Sequence, residues 1–135
     1  MENGLIAEQW TEFFRATAPL LRIAPFYSAL GNHDRSAPLY FENFVYPGNE
    51  RYYSFDYGPA HFIFLDSNIP HRTDEKQLDW LRKDLAETKM KWKFAIFHHP
   101  LYSTSKSESR VKDCDAMAAA WREIFEKGGL TATLM

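Results

Sequence analysis

Scarcity sets the first bounds on this chain of 135 residues, which has one cysteine, six glycines and no apolar run of membrane length. Cys114 alone forms no internal disulfide, so cysteine usage leaves the redox compartment open. No stretch approaches the roughly 20 apolar residues of a transmembrane helix, and the first residues lack the basic start and apolar middle of a signal peptide. Nothing here addresses the chain to a compartment. Charge of one sign is also missing: 16 basic and 18 acidic residues leave a net charge of −2. The two signs are interspersed, so there is no nucleic-acid footprint and no polybasic patch for a membrane surface. Internal repeats and low-complexity linkers are absent. What remains is 45% hydrophobic, 25% charged and 16% aromatic, the composition of a globular domain rich in ring packing. At this length a single domain buries a genuine core.

Periodicity orders that domain. Ile6, Trp10, Phe13, Phe14 and Thr17 fall at helical spacing and predict an amphipathic helix over 5–18, ended by Pro19. "PFYSAL" reads as a buried strand closed by Gly31, and the proline-rich stretch 35–50 as a long loop with aromatic anchors. "RYYSFDY" and "HFIFLDS" flank Gly58-Pro59 as a hairpin. "TDEKQLDWLRKDLAET" opens on a cap and repeats Leu78, Leu81 and Leu85 as a helix. "KWKFAIF" is a buried strand, "CDAMAAAWREIFEKGG" a helix ended by its glycine pair, and "LTATLM" the start of a further strand. Helices alternating with apolar strands define a layered α/β domain, in which ligands gather beyond the carboxyl ends of the strands.

Two polar clusters fall at such ends. Gly31-Asn32-His33-Asp34 follows "PFYSAL", and His98-His99-Pro100 follows "KWKFAIF". A turn has use for the Gly and the Asn, which tolerate positive φ, but none for a His and an Asp beside them. Imidazole nitrogen and amide oxygen are ligands for first-row divalent metals, and a water bound to such a metal becomes a nucleophile near neutral pH. A histidine outside the metal shell serves as proton donor. Metal-assisted hydrolysis is the chemistry these residues support. A Gly-Asn turn with a capping Asp, and a strand end with one packed and one solvated imidazole, are the competing structural readings. His61, His71 and Asp66 are assigned structural places, and Trp10, Trp80, Trp92 and Trp121 core positions.

With "GNHD", "YYSFDYGPAHFIFLDS", "QLDWLRKDL" and "FAIFHHPLYS" in this order, the chain resembles the calcineurin-like metallophosphoesterase superfamily, most closely its purple-acid-phosphatase-related branch. The resemblance runs from about residue 5 to the end. It implies an α/β fold, a layered α/β/β/α sandwich, with residues 1–135 as a single partial domain. It implies a hydrolase of phosphoric monoesters or diesters, working through a centre of two metal ions (Fe, Mn or Zn). Carried onto this sequence, Asn32 and His98 become metal ligands and His33, with Asp34, the catalytic proton donor. His99 and Tyr102 are the candidate substrate contacts, with solvent the alternative for His99 and packing against Tyr40 and Phe44 the alternative for Tyr102.

The family's Asp-x-His, Gly-Asp and Gly-His-x-His motifs are not found here, so the sequence reads as the middle of a domain without its first and last strands. Two ligands are fewer than the three protein ligands usual for a catalytic zinc, so the centre is expected to be incomplete in this chain. Exposed sheet edges would then favour self-association. The alternative is a non-catalytic remnant or interaction module that keeps the packing and has lost the centre. Along a pleated strand only one of two adjacent side chains faces a given crevice; the resemblance implies that it is His98, with His99 on the rim.

Overall fold

Apolar side chains continue without a break through "FIFL" and "FAIF", as expected of strands covered on both faces. In the computed structural model, which describes residues 2–135, these segments are neighbours at the centre of a four-stranded sheet ordered β1-β2-β3-β4. β1 (Tyr53–Tyr57) and β2 (Ala60–Phe64) form the expected antiparallel hairpin about Gly58-Pro59. β3 (Trp92–Ile96) runs parallel to β2, and β4 (Ala132–Leu134) parallel to β3. Each parallel step is bridged by a helix, first α3 (Glu75–Glu87) and then α4 (Glu108–Gly128). The layered α/β expectation is met on this one sheet.

Alternation along β2 and β3 divides the core in two. Ile63, Leu65, Ala95 and Phe97 point to the face carrying α3 and α4, where they meet Leu78, Leu81, Met117 and Trp121. Phe62, Phe64 and Ile96 point to the opposite face. There they meet Trp10 of α1 (Ala7–Leu21) and Tyr40 of α2 (Pro38–Asn43), with Tyr46 and Tyr53. Asp74 caps α3 by accepting the Lys76 amide at 3.1 Å, and Gly129 ends α4 in the left-handed conformation at φ 68°.

Four expectations change. α1 continues through Pro19 to Leu21, because a proline in the last turn forfeits only one intrahelical bond. Residues Pro38–Asn43 form the short helix α2, started by Pro38 at its first position, within the stretch expected to be a loop. α4 begins at Glu108 rather than at Cys114, since its first turn is polar and carries no apolar period. "PFYSAL" is extended but joins no strand ladder. Tyrosine hydroxyls take the place of a ladder at Ser28. Its amide donates to Tyr46 Oη at 3.0 Å, and its carbonyl accepts Tyr53 Oη at 3.0 Å. Burial holds the Tyr40 and Tyr53 phenols far above their ordinary pKa, so they stay protonated and able to donate. Among the described residues, no helix is long and apolar enough to cross a membrane.

Candidate functional site

The end of β3 decides where the histidines go. Ile96 and Phe97 still alternate between the two cores, but the ladder stops at Ile96 and the chain bends at 98–99. With the pleat gone, His98 and His99 both line one cavity of about 800 Å³, their rings 4.9 Å apart at 76°. The expectation that only one of them faces the crevice therefore fails. It relied on an alternation that a bend abolishes. His99 is also the more deeply seated of the pair. Ser67 Oγ accepts its backbone amide at 2.9 Å and lies 2.9 Å from its Nδ1. Burial, followed by the neighbouring His98 and Arg72 charges, lowers the His99 pKa and keeps its ring neutral at pH 7.

Across the cavity, the loop after "PFYSAL" brings in Asn32 and His33. His98 Nε2 donates to Asn32 Oδ1 at 2.8 Å, joining clusters 66 residues apart in sequence. The loop is held tightly. Asp34 turns inward and accepts the Gly31 amide at 2.7 Å, so it braces the loop and does not line the cavity. A side chain at Gly31 would meet both the His98 ring and the Asp34 carboxylate at 3.3 Å. The segment Glu2-Asn3-Gly4 straps the loop from outside: the Gly4 amide donates to the His33 carbonyl at 2.8 Å, and His33 Nδ1 donates to the Glu2 carbonyl at 2.8 Å. That contact leaves Nε2 as the His33 nitrogen able to pass a proton.

Other sequence expectations find structural places. Tyr102 is 62% exposed, stacks with Arg122 of α4 and does not line the cavity. Asp66 is buried, pairs with Arg51 at 3.0 Å and accepts the Asn68 amide at 3.0 Å, the expected loop anchor. Asn68 Nδ2 in turn donates to the Leu30 carbonyl at 3.2 Å, binding this loop to the segment before Gly31. His61 lies buried between Asp56 and Asp84. His71 sits in a short 3-10 turn, His71–Thr73. Sequence reasoning missed Ser67 and Asn68, and it missed the arginines Arg35, Arg72 and Arg110, which line the cavity. The polar run "DSN" after a strand was the available signal for the first two; for isolated arginines there was none.

Could this arrangement hold a metal ion? Asn32 Oδ1 and His98 Nε2 are suitable donors side by side, in chemistry and in spacing. They are still short of the three protein ligands that a catalytic zinc takes. Among the described residues, no group of three or more His, Cys, Asp or Glu side chains gathers to complete the set. The pair does not make a centre by itself.

An α/β layer carries an Asn and three imidazoles, His33, His98 and His99, on a cavity beyond its parallel strands, and the family match makes this a phosphoesterase-type hydrolase fold. The chain belongs to the calcineurin-like phosphoesterase family, whose model matches residues 2–134. It is 29% identical over 137 residues to purple acid phosphatase 15 of Arabidopsis thaliana, a match covering 90% of this chain and 25% of that protein. Purple acid phosphatase 23 of the same plant is 28% identical over 122 residues, covering 78% of this chain and 27% of the relative. Acid phosphatase type 7 of Mus musculus is 27% identical over 141 residues, covering 87% and 32%. The chain spans a quarter to a third of the length of these curated relatives.

Proposed function

We propose that these residues form the phosphate-facing part of a metal-dependent phosphoric ester hydrolase. The single observation that carries the proposal is the meeting of Asn32 Oδ1 with His98 Nε2 at 2.8 Å inside the cavity. In this reading Asn32 and His98 are two ligands of a dinuclear centre of Fe, Mn or Zn, which needs further donors. Such a centre, when bound, activates water and neutralises phosphoryl oxygens. The remaining roles belong to the chain. His33, its Nδ1 held by the Glu2 carbonyl, gives a proton from Nε2 to the departing alkoxide. Asp34 positions that imidazole by fixing the loop through Gly31. Neutral His99, held by Ser67, contacts the substrate without adding charge. Monoester and diester substrates are both open to this chemistry. Tyr102, facing Arg122, is left out of the machinery.

Manganese titration followed by side-chain NMR tests the ligand pair. Broadening is expected to begin at the His98 imidazole and the Asn32 amide and to vanish in His98→Ala; broadening that starts at His71, or that survives the substitution, would remove the basis of the proposal. The donor count favours a second reading for the chain in isolation, that of a non-catalytic module. The 135 residues alone are accordingly expected to leave 4-nitrophenyl phosphate at background hydrolysis with Mn²⁺, Zn²⁺ or Fe. Turnover abolished by His33→Ala would instead mean that a second chain supplies the missing donors.

A further inference from the structure

Two arginines of the cavity have no part in the roles above. Arg35 directly follows the Gly-Asn-His-Asp loop, and Arg110 stands in the first turn of α4; both line the same cavity as Asn32 and His98. A third guanidinium there, Arg72, is already neutralised by Asp113 at 2.7 Å. Asp113 is the one acid among the lining residues. Among the described residues, Arg35 and Arg110 form no ion pair, whereas Arg51 and Arg82 elsewhere on the molecule do. The lining therefore carries two uncompensated positive charges in a chain whose net charge is −2. Local backbone is also arranged unusually at this point. Arg35 and Ser36 are consecutive non-glycine residues at φ 54° and 49°, a region where Gly or Asn is the ordinary choice. The loop tolerates an arginine where conformation argues against one.

Size points the same way. A volume of about 800 Å³ is that of a site for a whole small molecule, far more than one phosphate group fills. Guanidinium groups read phosphate and carboxylate oxygens through paired N–H donors. We infer that the cavity takes a phosphate ester whose alcohol part carries a second anionic group, with the ester phosphate at Asn32 and His98 and the second anion held by Arg35 and Arg110. This inference rests on the phosphoesterase reading of the site and adds the class of substrate to it. It makes the two arginines specificity residues.

Calorimetric titration of the chain in Mn²⁺ with three probes tests it: propyl phosphate, 3-carboxypropyl phosphate and propane-1,3-diyl bisphosphate. The readout is the ratio of affinities within each variant, which cancels general loss of fold. In the unsubstituted chain, the bisphosphate or the carboxylate probe is expected to bind about tenfold more tightly than propyl phosphate, as charge-assisted hydrogen bonds would give. Whichever gains more identifies the second anion as phosphate or carboxylate. Arg35→Gln and Arg110→Gln should each bring that ratio to within about twofold of unity, while Arg22→Gln, a charge control outside the cavity, should leave it high. A ratio near unity in the unsubstituted chain, or one that falls equally in Arg22→Gln, overturns the inference and leaves the phosphoesterase reading intact. A high ratio lost in the two arginine variants, with the affinity for propyl phosphate in Mn²⁺ left unchanged by Asn32→Ala and His98→Ala, overturns the phosphoesterase reading itself, and the substrate class with it.

Discussion

His61 shows how a single residue can carry a pH dependence. Its Nδ1 reaches Asp56 Oδ1 of β1 at 2.6 Å and its Nε2 reaches Asp84 Oδ2 of α3 at 2.7 Å. Only the imidazolium donates at both nitrogens; the neutral ring turns a lone pair toward one carboxylate. Burial opposes the charge, but the hydrogen bonds that the ring donates to Asp84 and Asp56 outweigh it, and the pKa is raised above its ordinary 6.5. Ser54 Oγ also donates to Asp84 at 2.6 Å, and Lys93, beside His61 on β3, is directed to the Leu85 and Gly128 carbonyls. The folded state thus binds a proton that the unfolded state has released above pH 6.5. This contribution is complete below that pH and is lost as pH rises through the raised value. His99 contributes in the opposite sense, its lowered pKa costing stability as pH falls below 6.5. Urea unfolding between pH 5 and 9 should show midpoints that decline on the alkaline side, and His61→Gln should flatten that decline. A decline of the same slope in the variant would exclude His61 as its source.

Glycine at position 4 has an equally local reason. A Cβ there would stand 2.4 Å from the Asp34 carbonyl oxygen, a backbone atom that can yield only if the loop moves. Gly4→Ala is expected to cost about 1–3 kcal/mol, the usual range for overpacking. Amide exchange at His33 and Asp34 should rise with it, because the displaced strap would no longer cover the loop. Unchanged exchange would separate the strap from the site.

At the scale of elements, α4 ties the core to the cavity rim. Trp121 is fully buried in the core beneath the sheet, and its Nε1 donates to the Arg72 carbonyl at 2.7 Å. The same helix supplies Asp113 to the Arg72 side chain. Trp121→Phe keeps the ring packing and removes the donor, so the unpaired carbonyl should cost about 1–3 kcal/mol. Trp121→Ala adds a cavity and should cost about 3–5 kcal/mol. Both figures are readable from denaturant midpoints, and a neutral Trp121→Phe would mean that water replaces the indole at Arg72.

For the molecule as a whole, the sheet edges matter. β1 and β4 are the outer strands, and apolar side chains near them, Tyr57 and Leu134, are exposed. We expect concentration-dependent dimers in sedimentation through strand pairing at an edge. A monomer at every concentration, with strand amides uniformly protected from exchange, would show that the short edges are sufficiently guarded.

Local chemistry alone determined a good part of this protein. The short apolar runs of "HFIF" and "KFAIF", the leucine spacing of α3 and the glycine stop of α4 specify their elements because short-range pattern and turn chemistry act within a few residues. "GNHD" and "HHP" were legible as site residues because their side-chain chemistry is out of place in a turn, and Asn32, His33, His98 and His99 do line one cavity. Tertiary structure decided the rest. Whether "PFYSAL" joins a ladder depends on what lies beside it, and three tyrosines from distant positions settled that. Whether His99 faces the crevice depends on where β3 loses its partners, and the ladder ends at Ile96. Arg35 and Arg110 look like any surface cation along the chain. Only the fold, by spending Asp113 on Arg72 and leaving these two without an acid in the same cavity, gives them a common task.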